Sequence, residues 1–190
     1  MRRQRAANTS VFFCGAILLA LENGCAKAPV SQLAMNLEST DISTRHEAAK
    51  SLEGYGSDAA PAVPQLSKAL SDSEPKVRYH AAKALSKIGA AAAPAAEAIS
   101  KVLPTAEPET RYYLVKTLAN IGDAAGVAVP ALIDTLNDKD PKIRYYAAKA
   151  LGKAGKNASA ATPALQKLSR DPDEKIRTVA ANSIRKIRSK

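Results

Sequence analysis

The segment DKDPKIRYYAAKALGKAG, Asp138 to Gly155, reads as one helix with its own punctuation. Asp138 and Asp140 precede Pro141, and negative charge suits the positive N-terminal end of a helix. Proline at the first helical position gives up an N–H that would be unbonded anyway. From Ile143 to Leu151 apolar residues recur three and four apart, the period of an amphipathic helix. Gly155 then supplies a stop.

The segment is written several times. Arg45, Arg78, Arg111, Arg144 and Arg177 are each 33 residues apart, and other positions fall into columns on the same spacing. Leu52, Leu85, Leu118, Leu151 and Ile184 form one column, and Gly56, Gly89, Gly122 and Gly155 another. Leu66, Ile99, Leu132 and Leu165 form a third, and Val77, Thr110, Ile143 and Ile176 a fourth, with no gap needed. A period of 20–50 residues means a solenoid or array. Each unit reads as two helices. The first runs from about Pro75 to Ile88 in the second copy, and the second starts near Pro64, Pro130 or Pro163. No stretch shows the alternation of a half-buried strand.

Composition agrees. The 190-residue chain is 46% hydrophobic but only 4% aromatic, has no Trp, and keeps both Phe residues within its first 13 positions. Its core is therefore built from Ala, Leu, Ile and Val, which excludes an aromatic-filled globule and does not suit a β-sandwich. The regular apolar spacing excludes disorder.

RYHAAKALSKIG and RYYAAKALGKAG resemble the HEAT-like repeat of the phycobilisome-lyase type over residues 31–190. The resemblance implies an all-α fold, a right-handed α-solenoid of the armadillo and HEAT kind. The expected organisation is a lone second helix at 31–44, repeats at 45–77, 78–110, 111–143 and 144–176, and a terminal helix at 177–190. It further implies that Asp72, Asp138 and Asp171 tie repeats together with Arg45, Arg78, Arg111, Arg144 and Arg177, as structural ion pairs. Thr105 stands where the second repeat should have its Asp, so Arg111 is expected to be less tightly paired and the stack looser there.

On a helical wheel Val77, Ala81, Ala82, Leu85 and Ile88 share one packed side. The other side carries Tyr79, His80, Lys83 and Lys87, then Tyr112, Tyr113 and Lys116, then Tyr145, Tyr146, Lys149 and Lys153. Five of the six tyrosines fall in these two columns, which are expected to be exposed. The family resemblance puts this helix on the concave surface, making a Tyr/Lys groove for a partner. The bland alternative is a solvated face: lysines about 10 Å apart repel by only about 0.4 kcal/mol in water.

The N-terminus reads as an export signal at 1–24, followed by a linker at 25–30. Arg2, Arg3 and Arg5 precede the apolar run from Val11 to Leu21, which is too short to span a bilayer. Gly24-Cys25 resembles a bacterial lipoprotein site with lipid on Cys25, although Glu22 and Asn23 depart from its pattern. The alternative is cleavage after Ala28, just before Pro29. Removing 1–24 leaves 25 cations against 17 anions, a charge of +8 carried by the repeats.

No nucleophile elbow, P-loop, zinc spacing or dinucleotide fingerprint appears. RHEAAKSL at Arg45 resembles the His-Glu helices of deoxyhypusine hydroxylase, but His46-Glu47 is the only such pair in the chain. The expectation is a non-enzymatic, monomeric interaction module of the cell envelope, without cofactor or metal. It would bind a protein with an acidic surface or segment, and touch the membrane only through a lipid on Cys25. Binding of a nucleic-acid backbone by the basic face is the alternative, disfavoured by export. A lyase or hydroxylase relative that has lost its site is a third.

Overall fold

The computed structural model describes residues 27–189; the signal segment 1–24 and Cys25 lie outside them. Ten α-helices follow one another, with no strand among the described residues. They are α1 (Val30–Asn36), α2 (Ile42–Glu53), α3 (Val63–Ala69), α4 (Pro75–Ile88), α5 (Ala96–Val102), α6 (Pro108–Ile121), α7 (Val129–Thr135), α8 (Pro141–Ala154), α9 (Thr162–Leu168) and α10 (Glu174–Ser189). The longer helices α2, α4, α6, α8 and α10 stack side by side as one layer. The short helices α3, α5, α7 and α9 lie behind them.

The columns read from the sequence are the core. Leu52, Leu85, Leu118 and Leu151 are fully buried, as are Leu66, Ile99, Leu132 and Leu165. The largest fully buried side chains are all Leu or Ile. With no aromatic among them, each contact is small and the layers interdigitate closely.

A third element per unit went unread in the sequence. A seven-residue 3₁₀ segment joins each long helix to its short one, at Gly56–Ala62, Gly89–Ala95, Gly122–Ala128 and Gly155–Ala161. Two alanines in each are fully buried: Ala59 and Ala62, Ala92 and Ala95, Ala125 and Ala128, Ala158 and Ala161. These small side chains let successive 3₁₀ segments touch. The signal was an alanine repeat of period 33, overlooked because alanine carries no turn or amphipathic mark.

The glycine column does more than end a helix. Gly89, Gly122 and Gly155 cap α4, α6 and α8 with φ of 75°, 68° and 60° and ψ near −130°. Only glycine visits that region freely. The chain therefore leaves each long helix at the same angle, which sets the pitch of the stack.

The arginine column staples the units together. Arg45 Nε donates to Asp72 Oδ2 at 2.7 Å, and its Nη2 donates to Oδ1 at 3.0 Å. Arg144 grips Asp171 in the same two-bond way, and Arg111 Nη1 reaches Asp138 at 2.7 Å. The spare guanidinium N–H groups bind carbonyls of the turn before each helix, such as Ser39 and Thr40 for Arg45. Each aspartate also accepts the backbone N–H two residues on, shaping the next turn. Arg177 donates to the carbonyls of Asp171 and Pro172.

Arg111 is less tightly held, as expected: it makes one bond to Asp138 and one to the Ala106 carbonyl, where Arg45 and Arg144 each make two to an aspartate and two to carbonyls. Thr105 also disturbs a second arginine, which was not expected. The aspartate serves the arginine 27 residues before it, so the missing one belongs to Arg78. Arg78 turns to Glu107 instead, while Arg111 keeps Asp138. The stack is not looser there: α4 packs against α6 as closely as α2 does against α4.

Candidate functional site

The outward sides of α4, α6 and α8 place the tyrosines and lysines on one face, because residues four apart on a helix share a side. Their rings form a continuous series across the repeats. His46 meets His80 with ring centroids 5.1 Å apart, His80 meets Tyr79 at 5.1 Å, and Tyr79 meets Tyr113 at 5.5 Å. Tyr113 meets Tyr112 at 5.0 Å, Tyr112 meets Tyr146 at 5.6 Å, and Tyr146 meets Tyr145 at 5.3 Å. The contacts between tyrosines are edge-to-face, the arrangement favoured by the ring quadrupole. Between repeats the contact always joins residues 34 apart, so the series climbs one residue per unit.

The rings are half-buried rather than exposed as expected. Tyr112, Tyr113, Tyr145 and Tyr146 lean on the core and cover one another. Burial, reinforced by the neighbouring tyrosines, pushes the Tyr113 and Tyr146 hydroxyls above the ordinary phenol range. The wheel gave the direction of these side chains but not the mutual cover that comes from stacking.

The lysines lie on the ring faces. Lys83 Nζ is 5.4 Å from the Tyr79 centroid and 5.8 Å from that of Tyr113. Lys116 sits 5.9 Å from Tyr112, and Lys149 sits 5.7 Å from Tyr146 and 6.0 Å from Tyr145. Such cation–π contacts are worth about 0.5–1 kcal/mol when exposed. They hold the ammonium groups in register.

Sequence reading missed Glu53. Its carboxylate takes His80 Nδ1 at 3.0 Å, Lys83 Nζ at 3.1 Å and Lys87 Nζ at 2.9 Å. Burial alone would raise this carboxyl, but the hydrogen bonds from Lys87, His80 and Lys83 outweigh it and hold it at about 2. The later members of its column are Ser86, Ala119 and Gly152, so no later repeat carries this acid. The face is therefore polar along the stack. Glu53 offsets one of the two lysine charges it meets at the α4 end, whereas Lys116, Lys149 and Lys153 have no carboxylate within ion-pair distance among the described residues.

Between α8 and α10 the face opens into a depression of about 940 Å³, walled by Tyr112, Tyr145 and Tyr146 on one side and by Thr178, Val179 and Asn182 on the other. Among the described residues no group of three or more His, Cys, Asp or Glu could hold a metal ion, and no helix is long and apolar enough to cross a membrane.

Paired helices stacked on a 33-residue period, stapled by arginine and aspartate, define an α-solenoid. The chain belongs to the HEAT repeat family, whose model matches residues 30–99 and 96–185. Among solved structures, an engineered protein is 27% identical, with a TM-score of 0.71 over 84% of this chain and 79% of its own. A designed armadillo repeat protein in complex with the peptide (KR)4 is 20% identical, with a TM-score of 0.70 over 83% and 81%. The complex of CpcE and CpcF of phycocyanin lyase, from a Nostoc species, is 24% identical, with a TM-score of 0.68 over 93% and 71%. The last two show likeness of fold alone. No curated protein matches the chain.

Proposed function

We propose that this solenoid is a non-catalytic interaction module that holds an acidic protein segment against the tyrosine and lysine face. One observation carries the reading: a ring series running unbroken from α2 to α8, with Lys116 and Lys149 seated on it and without carboxylate partners among the described residues. Tyrosine presents large contact area at low entropic cost, and a rigid face needs no ordering on binding. The designed armadillo repeat protein of similar fold is in complex with a basic peptide. Here the cations lie on the protein, so the complementary segment is acidic. A lyase complex shares the fold, but fold alone does not transfer chemistry. The location we propose is the bacterial envelope, on the strength of the signal-like residues 1–24 and of Cys25 as a lipid anchor.

Fluorescence anisotropy with a labelled octaglutamate peptide tests the reading. Wild type is expected to bind, and Lys116→Glu/Lys149→Glu/Lys153→Glu to weaken binding at least tenfold with unchanged helicity. Lys139→Glu/Lys156→Glu/Lys167→Glu, the same charge change off this face, is expected to bind nearly as wild type. Absence of binding, or equal loss in both triples, overturns the reading. Tight binding of duplex DNA instead, with a log–log salt slope near −0.9 per phosphate contacted, would mark the face as a nucleic-acid surface.

A further inference from the structure

The ring series stops one repeat before the helix layer does. Its rule is contact between residues 34 apart, from His46 to His80, Tyr79 to Tyr113 and Tyr112 to Tyr146. The next partners are Tyr145 and Val179, and the position beside Val179 is Thr178. On α10 the two ring positions of the repeat are therefore filled by small side chains, although the helix stacks on α8 like the others. The depression lies where those two rings would sit. It is bounded by Tyr145 and Tyr146 and floored in part by Val179. At about 940 Å³ and open to solvent, it has room for a ring and its flanking residues.

Charge tells which way an occupant lies. At the N-terminal end of α10 the rim carries Asp173 and Glu174 beside Lys142 and Lys175, so opposite charges balance there. Toward the C-terminal ends of α8 and α10 the same face carries Lys149, Lys153 and Lys186. Of these, Lys149 and Lys153 have no carboxylate partner among the described residues. The ring walls are thus flanked by net positive charge on one side only.

We infer that the depression seats an aromatic side chain of the acidic segment. The ring completes the edge-to-face series against Tyr145 and Tyr146, and the segment's carboxylates lie toward Lys149 and Lys153. This rests on the reading of the face as the site for an acidic segment, and it adds a specificity: acidic residues flanking Phe, Tyr or Trp, rather than negative charge alone.

The test uses two labelled peptides, Glu-Glu-Phe-Glu-Glu and Glu-Glu-Ala-Glu-Glu, titrated into residues 26–190 by anisotropy. Burying a ring is worth tenfold or more in affinity, so wild type is expected to prefer the Phe peptide by about that factor. Two variants fill the seat: Thr178→Tyr/Val179→Tyr, and Thr178→Trp, which alters only an exposed position and puts folding at little risk. In each, the preference is expected to vanish while the Ala peptide binds as before. Equal binding of both peptides to wild type overturns this inference and leaves the acidic-segment reading standing. A preference that survives in both filled variants also overturns it, since the ring then sits elsewhere. Binding of neither peptide overturns both readings together.

Discussion

Asp171 and Glu107 staple neighbouring repeats with very different shielding from water. The Asp171 side chain is 5% exposed and that of Glu107 is 41% exposed. Water screens the second pair far more. Asp171→Asn is therefore expected to cost about 2 kcal/mol, and Glu107→Gln less than about 1 kcal/mol, both read from urea unfolding. The same reasoning sets a pH dependence at Glu53. Its carboxyl titrates lower in the folded chain than in the unfolded one, so the unfolded state binds the extra proton between those values. Stability from Glu53 is complete above about 4.5 and is lost as pH falls toward about 2. In Glu53→Gln that part of the acid dependence is expected to disappear, so the melting temperatures of wild type and variant differ by a constant amount above pH 4.5 and draw together as pH falls toward about 2.

Two glycines in the helix layer are needed for opposite reasons. A Cβ on Gly122 would meet nothing within 4 Å, so only its backbone, at φ 68°, resists substitution. Gly122→Ala is expected to cost about 1–2 kcal/mol. Gly152 lies inside α8 with an ordinary helical backbone, and there space is the constraint. A Cβ would come within 2.4 Å of Ser183 Oγ and 2.8 Å of the Ser183 Cα on α10. That close approach lets Ser183 Oγ donate to the Ala148 carbonyl at 2.7 Å, tying α10 to α8. Gly152→Ala should push the helices apart and cost about 1–3 kcal/mol. Chemical denaturation of the two variants, with Gly122→Ala losing stability and keeping α10 docked, separates the mechanisms.

Across the whole molecule, each unit touches its neighbours and little else. Stability in such an array is nearly a sum of unit and interface terms. Damage at the α8–α10 interface is therefore expected to stay local. Hydrogen exchange in Gly152→Ala should speed up in α10 and leave α2 and α4 protected as in wild type. A uniform loss of protection would mean that the stack unfolds as one unit. The binding face has the same one-dimensional logic. Glu53 offsets part of the charge at one end, the ring series crosses the middle, and the depression lies at the other end.

The period of 33, the helix starts, the aliphatic core columns and the direction of the tyrosines were legible in the sequence, because each depends on spacing along one helix. Arg45 and its repeats were legible as staples, but not which aspartate each one holds. That depends on whether a turn reaches forward or back across the interface, and it extended the consequence of Thr105 from Arg111 to Arg78. The 3₁₀ segments escaped because alanine is silent until it meets its counterpart in the next unit. Glu53 escaped because its three partners lie 27, 30 and 34 residues away and meet it only when α2 packs on α4. Spacing within a helix is written in the chain. Contact between helices is decided by packing, and packing buried the tyrosines against one another, seated the lysines on their rings and left the face open between α8 and α10.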